Sequence, residues 1–190
     1  MPARRLINLS STATVEYRNP MQRPRIEKVT VNIAIGKSGE PLEKASKILE
    51  SLTGQKPCYR SAKKTIKDFG IRKGEPIACM VTLRKQRAME FLSKAFAAVR
   101  NKLPTSSFDR LGNFGFGIRE HIEIPGTRYD PELGIVGMNV YVTVSRPGHR
   151  VRERKRARSR IGAKHFVSPT ESARLVKEIF GVEVVGGGFE

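Results

Sequence analysis

IEKVTVNIAI, residues 26–35, alternates between apolar and polar side chains over almost its whole length. Because successive side chains of an extended chain point to opposite faces, the alternation predicts a strand with one buried face and one open face. The buried set is Val29, Val31, Ile33 and Ile35, and the open set is Lys28, Thr30 and Asn32. Such a strand needs a core on one side only.

Residues 76–84, 115–124 and 138–145 repeat this alternation and predict three more half-buried strands. In the stretch 115–124, Glu120 interrupts the apolar face, and the alternation offers no reason for it. The remaining side chains of that stretch divide into Phe116, Ile118, Ile122 and Ile124 on one face and Arg119, His121 and Glu123 on the other.

Amphipathic segments predict helices at about 41–53 and 87–102. Ser168-Pro169-Thr170-Glu171 has the form of a capping box, which predicts a third helix that runs to about Phe180. Since each strand has one apolar face, a sheet with helices on one face satisfies the pattern. The predicted fold class is therefore α/β, in two layers, with the other face of the sheet left open.

The charge of the chain is strongly one-sided. It carries 36 Lys plus Arg against 18 Asp plus Glu, a formal net charge of +18 on 190 residues. A surface that serves only solubility needs a net charge of about 2–8, whereas a polyanionic partner accommodates the larger value. The charge therefore predicts nucleic-acid binding.

Basic residues are concentrated in separate segments of the chain. Residues 56–73 hold seven Lys or Arg and residues 146–165 hold nine, each with one acid. We expect a basic arm at 1–22 and one α/β domain at 23–190, which contains a basic loop at 60–75 and an Arg-rich insertion at 146–166. The Arg-rich insertion has almost no apolar periodicity, so we expect it to become ordered only on its partner. A localisation signal or a solvated tail is the alternative interpretation of this insertion.

The polar faces of the strands together predict a surface for folded RNA. Hydroxyl, amide, imidazole and phenol groups make directed hydrogen bonds to sugars, phosphates and base edges. The alternative is an ordinary solvated sheet face, but such faces mix Lys with Glu, and Glu123 is the single obvious acid here. The predicted surface comprises Lys28, Thr30, Asn32, Thr82, Arg84, Arg119, His121, Asn139, Tyr141 and Thr143.

Catalytic and metal chemistry find little support. Glu120 and His121 are adjacent on a predicted strand and would point to opposite faces, so they cannot act on one atom together. The three His and two Cys lack metal-ligand spacing, and neither glycine-rich stretch matches a nucleotide-binding motif. We therefore expect no enzyme activity, no cofactor and no metal. No apolar run approaches about 18 residues, so we expect no membrane span.

Several segments in order resemble one known family. VTVNIAIGKSGE, LTGQKP, SAKKTIKDFGIRKGEPI, VTLR, FDRLGNFGFGIREHIEIP and YDPELGIVGMNVYVTV are similar to segments of the large-subunit ribosomal protein five family, the universal 5S rRNA-binding ribosomal proteins. The resemblance spans about residues 20–185. The Arg-rich insertion resembles the archaeal and eukaryotic branch, because bacterial members are shorter there.

The resemblance implies an antiparallel-rich sheet whose open face binds 5S rRNA and helps to attach it to large-subunit rRNA in the central protuberance. Asn32, Gln55 and Thr82 would be direct 5S contacts, with Lys28, Thr30 and Arg84 close by. The basic loop would reach P-site tRNA. Its phosphate contacts would be Arg60, Lys63, Lys64, Lys67, Arg72 and Lys73.

The other implied partners are a small-subunit head protein at an intersubunit bridge and neighbouring large-subunit proteins, in the cytoplasm. We expect the Arg-rich insertion to neutralise rRNA phosphates through Arg150, Arg152, Arg154, Lys155, Arg156, Arg158 and Arg160. Two rival functions stay open from the sequence: a general RNA chaperone or regulatory RNA binder, and an RNA-modifying enzyme.

Overall fold

The structure, a computed structural model, describes residues 17, 19–127 and 129–186. Within these residues a five-stranded antiparallel sheet forms the centre of the fold, in the spatial order β2-β3-β1-β6-β5. The strands are β1 (Arg25–Ala34), β2 (Cys58–Ser61), β3 (Pro76–Leu83), β5 (Phe114–Ile118) and β6 (Met138–Ser145). A separate parallel pair joins β4 (Lys102–Pro104) to β7 (Glu183–Val185).

Four α-helices accompany the sheet in the described part of the chain: α1 (Glu40–Thr53), α2 (Lys85–Ala98), α3 (Arg150–Glu153) and α4 (Pro169–Phe180). The apolar faces of α1, α2 and α4 join the apolar faces of the strands in one core. Val29, Val31 and Ile33 are at most 1% exposed, as the alternation predicts. The predicted α/β class with helices on one face of an antiparallel-rich sheet is confirmed.

The helix ends follow local chemistry. Gly54 ends α1 in the left-handed conformation, and its N–H bonds to the carbonyl of Glu50 at 2.8 Å. The predicted capping box opens α4: the N–H of Glu171 donates to Oγ of Ser168, and the N–H of Ser168 donates to the Glu171 carboxylate.

The predicted strand at 115–124 is wrong in its second half. β5 ends at Ile118, and residues 121–123 form a 3₁₀ turn that buries His121 and Ile124. The interruption at Glu120 was the signal of this strand end, because a strand that continued would have placed its carboxylate in the core.

The Arg-rich insertion is anchored at both ends. Arg146 donates to both carboxylate oxygens of Glu171 at 2.8 Å, and Nε2 of His165 donates to the carbonyl of Pro147 at 2.8 Å. Between these anchors lie α3 and then residues 154–160, which are all exposed. Residues 154–160 belong to no helix or strand, whereas both ends of the insertion are fixed; the expectation that the insertion becomes ordered only on its partner stays a prediction. The expected basic arm at 1–22 lies mostly outside the described residues.

Candidate nucleic-acid interface

The open face of the sheet presents its polar side chains in rows that run across the strands. The strand register places Thr82, Thr30, Tyr141 and Gly115 in one row. The next row comprises Cys58, Met80, Asn32, Asn139 and Gly117. Because the pleat sends alternate side chains to alternate faces, each row faces away from the core.

Eight of the ten side chains predicted for the open face lie on its strands or directly beside them, and none of the eight is buried. Asn139, Tyr141 and Arg84 are exposed, and the side chains nearer the centre of the sheet are half-buried. The eight are Lys28, Thr30, Asn32, Thr82, Arg84, Asn139, Tyr141 and Thr143.

Tyr141 is positioned by a glycine on the neighbouring strand. A Cβ at Gly115 would lie 2.8 Å from Cδ1 and 3.2 Å from Cε1 of the Tyr141 ring, so the ring occupies the space that a side chain would fill. The ring is nevertheless 52% exposed. An aromatic ring held against backbone and open to solvent can stack on a base or a sugar.

Arg119 and His121, the two remaining predictions, have different outcomes. Arg119 is exposed just past the end of β5, where it lines a surface pocket of about 390 Å³ together with Asn139 and Gly117. His121 is only 3% exposed, and its Nδ1 accepts a hydrogen bond from the N–H of Val136 at 3.3 Å. The placement of His121 on the open face is therefore wrong: its imidazole ties the 3₁₀ turn to the connection before β6.

Two residues lie at the margins of the face. Arg84 stands at the start of α2, with its Nη1 3.7 Å from the Glu27 carboxylate. Gln55 is half-buried in the turn between α1 and β2, outside the sheet.

Arg60 was predicted to be a phosphate contact of the basic loop, but it lies on β2 and so belongs to the sheet. It lies on β2 opposite Ala78, and its Nε donates to Sδ of Met80 at 3.2 Å. The predicted set of interface residues left out Cys58 and Met80 at this edge, because it included polar side chains only, although the alternation places Met80 on the same face as Thr82. It also missed Gly115 and Gly117, whose alternation with Phe114 and Phe116 was the available signal.

The basic loop between β2 and β3 has a defined backbone. Ile66 and Ile71 exchange two backbone hydrogen bonds, of 2.9 and 3.1 Å, and the N–H of Lys73 donates to Oγ1 of Thr65 at 3.0 Å. At its base, the Glu75 carboxylate accepts from the hydroxyl of Ser38 and from the N–H of Arg72. These bonds hold the pKa of Glu75 below its usual range. Five predicted cations are exposed on this loop: Lys63, Lys64, Lys67, Arg72 and Lys73.

The Arg-rich insertion presents a second basic surface. Arg150, Arg152, Arg154, Lys155, Arg156, Arg158 and Arg160 are all exposed. At its base, the rings of His149 and His165 lie 5.6 Å apart, and Arg152 lies 5.9 Å from the ring of Phe166. The exposed guanidinium groups therefore lie on a segment whose two ends are fixed by hydrogen bonds.

We also searched the described part of the chain for metal sites, membrane-spanning helices and reactive cysteines. These residues include no group of three or more His, Cys, Asp or Glu that could hold a metal ion. Among the described helices, none combines the length and the apolar character of a membrane span. The two cysteines differ: Cys58 is exposed on β2, and burial raises the pKa of Cys79 to about 11.

Comparison with known proteins gives one consistent result. Residues 19–72 match the family described as Ribosomal protein L5, and residues 76–182 match the model of the C-terminus of the same ribosomal family. Both segments contribute strands to the same sheet, since β1 comes from the first and β6 from the second.

Three archaeal relatives are each named large ribosomal subunit protein uL5. The protein of Aeropyrum pernix is 56% identical over 169 residues, which are 88% of each chain. That of Sulfurisphaera tokodaii is 52% identical over 180 residues, 94% of this chain and all of the relative. That of Methanococcus vannielii is 49% identical over 171 residues, 88% of this chain and 94% of the relative. The chain therefore belongs to the ribosomal protein L5 family, and it is a structural constituent of the large ribosomal subunit and not an enzyme.

Proposed function

We propose that the open face of the sheet binds 5S rRNA and fixes its register in the large subunit. The observation that carries this proposal is the set of cross-strand rows of hydroxyl, amide and phenol groups, accessible on the side of the sheet opposite the core. Side chains of this kind make directed bonds to 2′-hydroxyls and to the shallow minor groove of folded RNA. The rows centre on Thr30, Asn32, Thr82 and Asn139.

The two basic surfaces take the complementary role of neutralising phosphates. The Arg-rich insertion would contact large-subunit rRNA, which helps to attach the bound 5S rRNA in the central protuberance. The basic loop is predicted at 60–75, but residues 60 and 61 belong to β2, so the loop itself is the 62–75 loop; it would contact P-site tRNA. Because a tRNA must later leave, Lys suits this loop: an ammonium is a point charge without the two-pronged geometry of Arg.

One experiment separates these roles. Asn32→Ala with Thr82→Ala removes two neighbours from the open face, and Lys63→Ala with Lys64→Ala removes two cations from the loop. Binding of purified protein to 5S rRNA should weaken for the first pair and change little for the second. Equal losses for both pairs would contradict the division of roles.

The same measurement tests a general RNA chaperone as the rival function. A chaperone would bind 5S rRNA and an unstructured RNA of equal length with similar affinity. A 5S-specific face predicts that only the folded 5S rRNA is sensitive to Asn32→Ala with Thr82→Ala.

The surface best suited to a protein partner lies away from the open face of the sheet and from the two basic surfaces. A pocket of about 580 Å³ lies between the start of α1 and the connection before β6, with Ile35, Pro41 and Leu133 in its lining. Ile135 in the same lining is 55% exposed. Glu40 and Lys44, also in the lining, form an ion pair of 2.8 Å, and the Glu132 carboxylate interacts with Lys44, so two carboxylates and one ammonium leave one net negative charge. This corner is apolar and has no excess of basic side chains, so it suits a protein better than RNA, and we propose that the bridge to a small-subunit head protein forms here.

The bridge proposal is tested by Ile135→Asp. The variant should still bind 5S rRNA, and large subunits assembled with it should join small subunits less tightly. Normal joining of the subunits would contradict this location.

A further inference from the structure

The tip of the 62–75 loop carries an aromatic side chain that the proposed phosphate contacts leave unexplained. Phe69 is 70% exposed, which is the greatest exposure among the large apolar side chains of the described residues. Ile66, at the neck of the same turn, is 42% exposed. A loop that only neutralised phosphates would need no apolar side chain in solvent.

The backbone holds Phe69 at the extreme end of the loop. The N–H of Gly70 donates to the carbonyl of Lys67 at 3.0 Å and closes a turn in which Asp68 and Phe69 are the central residues. Gly70 adopts φ +67°, a left-handed conformation that glycine accepts without strain. With the two bonds between Ile66 and Ile71 behind it, the ring is presented outward on a short hairpin.

The charge around the ring points to a polyanion. Lys63, Lys64 and Lys67 precede Phe69, Arg72 and Lys73 follow it, and all five are exposed. Asp68 is the single acid in residues 62–74. An anionic membrane would also satisfy an apolar tip among cations, but the chain is a constituent of the large ribosomal subunit, whose surroundings are RNA.

We propose that Phe69 stacks on the exposed face of a nucleobase at the end of a base stack in folded RNA, while the surrounding cations contact the adjacent phosphates. This inference rests on the proposed contact of the loop with tRNA and adds recognition of a base plane to that contact. Stacking suits a transient partner, because every base offers an aromatic face and no sequence is read.

The chain contains no tryptophan, so Phe69→Trp creates a single fluorescent reporter at the tip. Titration with tRNA should quench its emission, because the indole stacks on a base. Titration with heparin, which has the charge but no bases, should leave the emission nearly unchanged. Leu111→Trp is the matched control, since Leu111 is also exposed, at 42%, but lies in a different loop.

Affinity measurements complete the test at low salt. Phe69→Ala and Phe69→Leu should each weaken tRNA binding by about 5- to 150-fold, the range for the loss of one stacked base, and Phe69→Tyr should retain most of the affinity. Because the ring is largely exposed, none of these variants should unfold the protein. Full affinity of Phe69→Leu would show that the ring serves as a generic apolar contact and would overturn the proposal.

Two other outcomes would overturn the stacking proposal, and each points to a different cause of the fluorescence signal. Quenching by heparin equal to that by tRNA would assign the signal to charge. A blue shift on phosphatidylserine vesicles that exceeds the response to tRNA would assign the tip to a membrane. If Lys63→Ala with Lys64→Ala leaves tRNA binding unchanged, the proposed tRNA contact itself fails; if that pair weakens binding and Phe69→Ala does not, only the stacking inference fails.

Discussion

The ring of Tyr141 lies where it does because the residue opposite it on β5 has no side chain. Gly115 has an ordinary extended backbone, so an alanine is conformationally acceptable there, but its Cβ would collide with the ring. The glycine is therefore a positioning residue for the open face.

Gly115→Ala should displace the Tyr141 ring without unfolding the protein. We expect about 5-fold or greater loss of 5S rRNA affinity, within the range of a weakened stacking contact. Gly117→Ala is the matched control, because its Cβ would meet only Oδ1 of Asn139, at an ordinary 3.5 Å. Equal affinities for the two variants would remove Tyr141 from the interface.

The two cysteines provide a probe of the same face. Cys58 is exposed in the row of Met80 and Asn32, whereas Cys79 is buried, and burial raises the pKa of its thiol to about 11. Since the thiolate is the reactive form, iodoacetamide at about pH 8 should modify Cys58 and leave Cys79 intact.

Bound 5S rRNA should slow the modification of Cys58, which peptide mass spectrometry can follow. An unchanged rate in the complex would place this edge of the sheet outside the interface.

At the scale of elements, β1, β3 and β6 were predictable because every second residue is apolar and both faces of each strand have a consistent environment. The end of β5 was not predictable in the same way. Ile122 and Ile124 continue the alternation in sequence, but the chain turns at Glu120 and buries His121 through bonds to Val136. The contact between His121 and Val136 joins distant segments and leaves no local pattern of its own, so the acid at position 120 is the one mark of the strand end in the sequence.

The base of the 62–75 loop should respond to pH through Glu75. Its pKa is lowered by the hydroxyl of Ser38 first and by the N–H of Arg72 second. Because the pKa of Glu75 is lower in the folded state than in the unfolded state, its ionised carboxylate stabilises the folded protein fully at pH values above about 4.5. This stabilisation is lost as the pH falls through the lower, folded-state pKa. The amide proton shift of Arg72 should therefore titrate with a midpoint below 4.5.

Glu75→Gln is the control for this titration and should abolish it. A midpoint at or above 4.5 in the unsubstituted protein would contradict the hydrogen bonds at the base of the loop.

The core depends on one aromatic side chain that joins three elements. Phe96 of α2 is 1% exposed, and its ring centroid lies 5.3 Å from that of Phe116 on β5 and 5.0 Å from that of Phe180 on α4. Phe96→Ala should lower the free energy of unfolding by about 3–5 kcal/mol, measured by urea denaturation. Phe69→Ala, at an exposed position, should change it by less than about 0.5 kcal/mol.

At the scale of the molecule, the net charge of +18 predicts a strong dependence of RNA binding on salt. If about 6–10 phosphates are neutralised, 5S rRNA affinity should fall by about 10³- to 10⁵-fold between 50 and 200 mM salt. Binding isotherms at several salt concentrations give this slope. A nearly flat dependence would mean that hydrogen bonds of the sheet face carry the affinity and that the basic segments serve another partner.

β1 pairs with β6, which is synthesised more than 100 residues later. The central sheet therefore cannot be complete until residues 138–145 have been synthesised. A nascent chain that has emerged only as far as β3 exposes its cations but has not yet assembled the rows of Thr30, Asn32 and Asn139. The growing chain therefore carries the charge that attracts polyanions before it carries the open face that is proposed to select among RNAs. If the open face selects 5S rRNA as proposed, that discrimination arises late in translation, when β6 leaves the exit tunnel and completes the sheet.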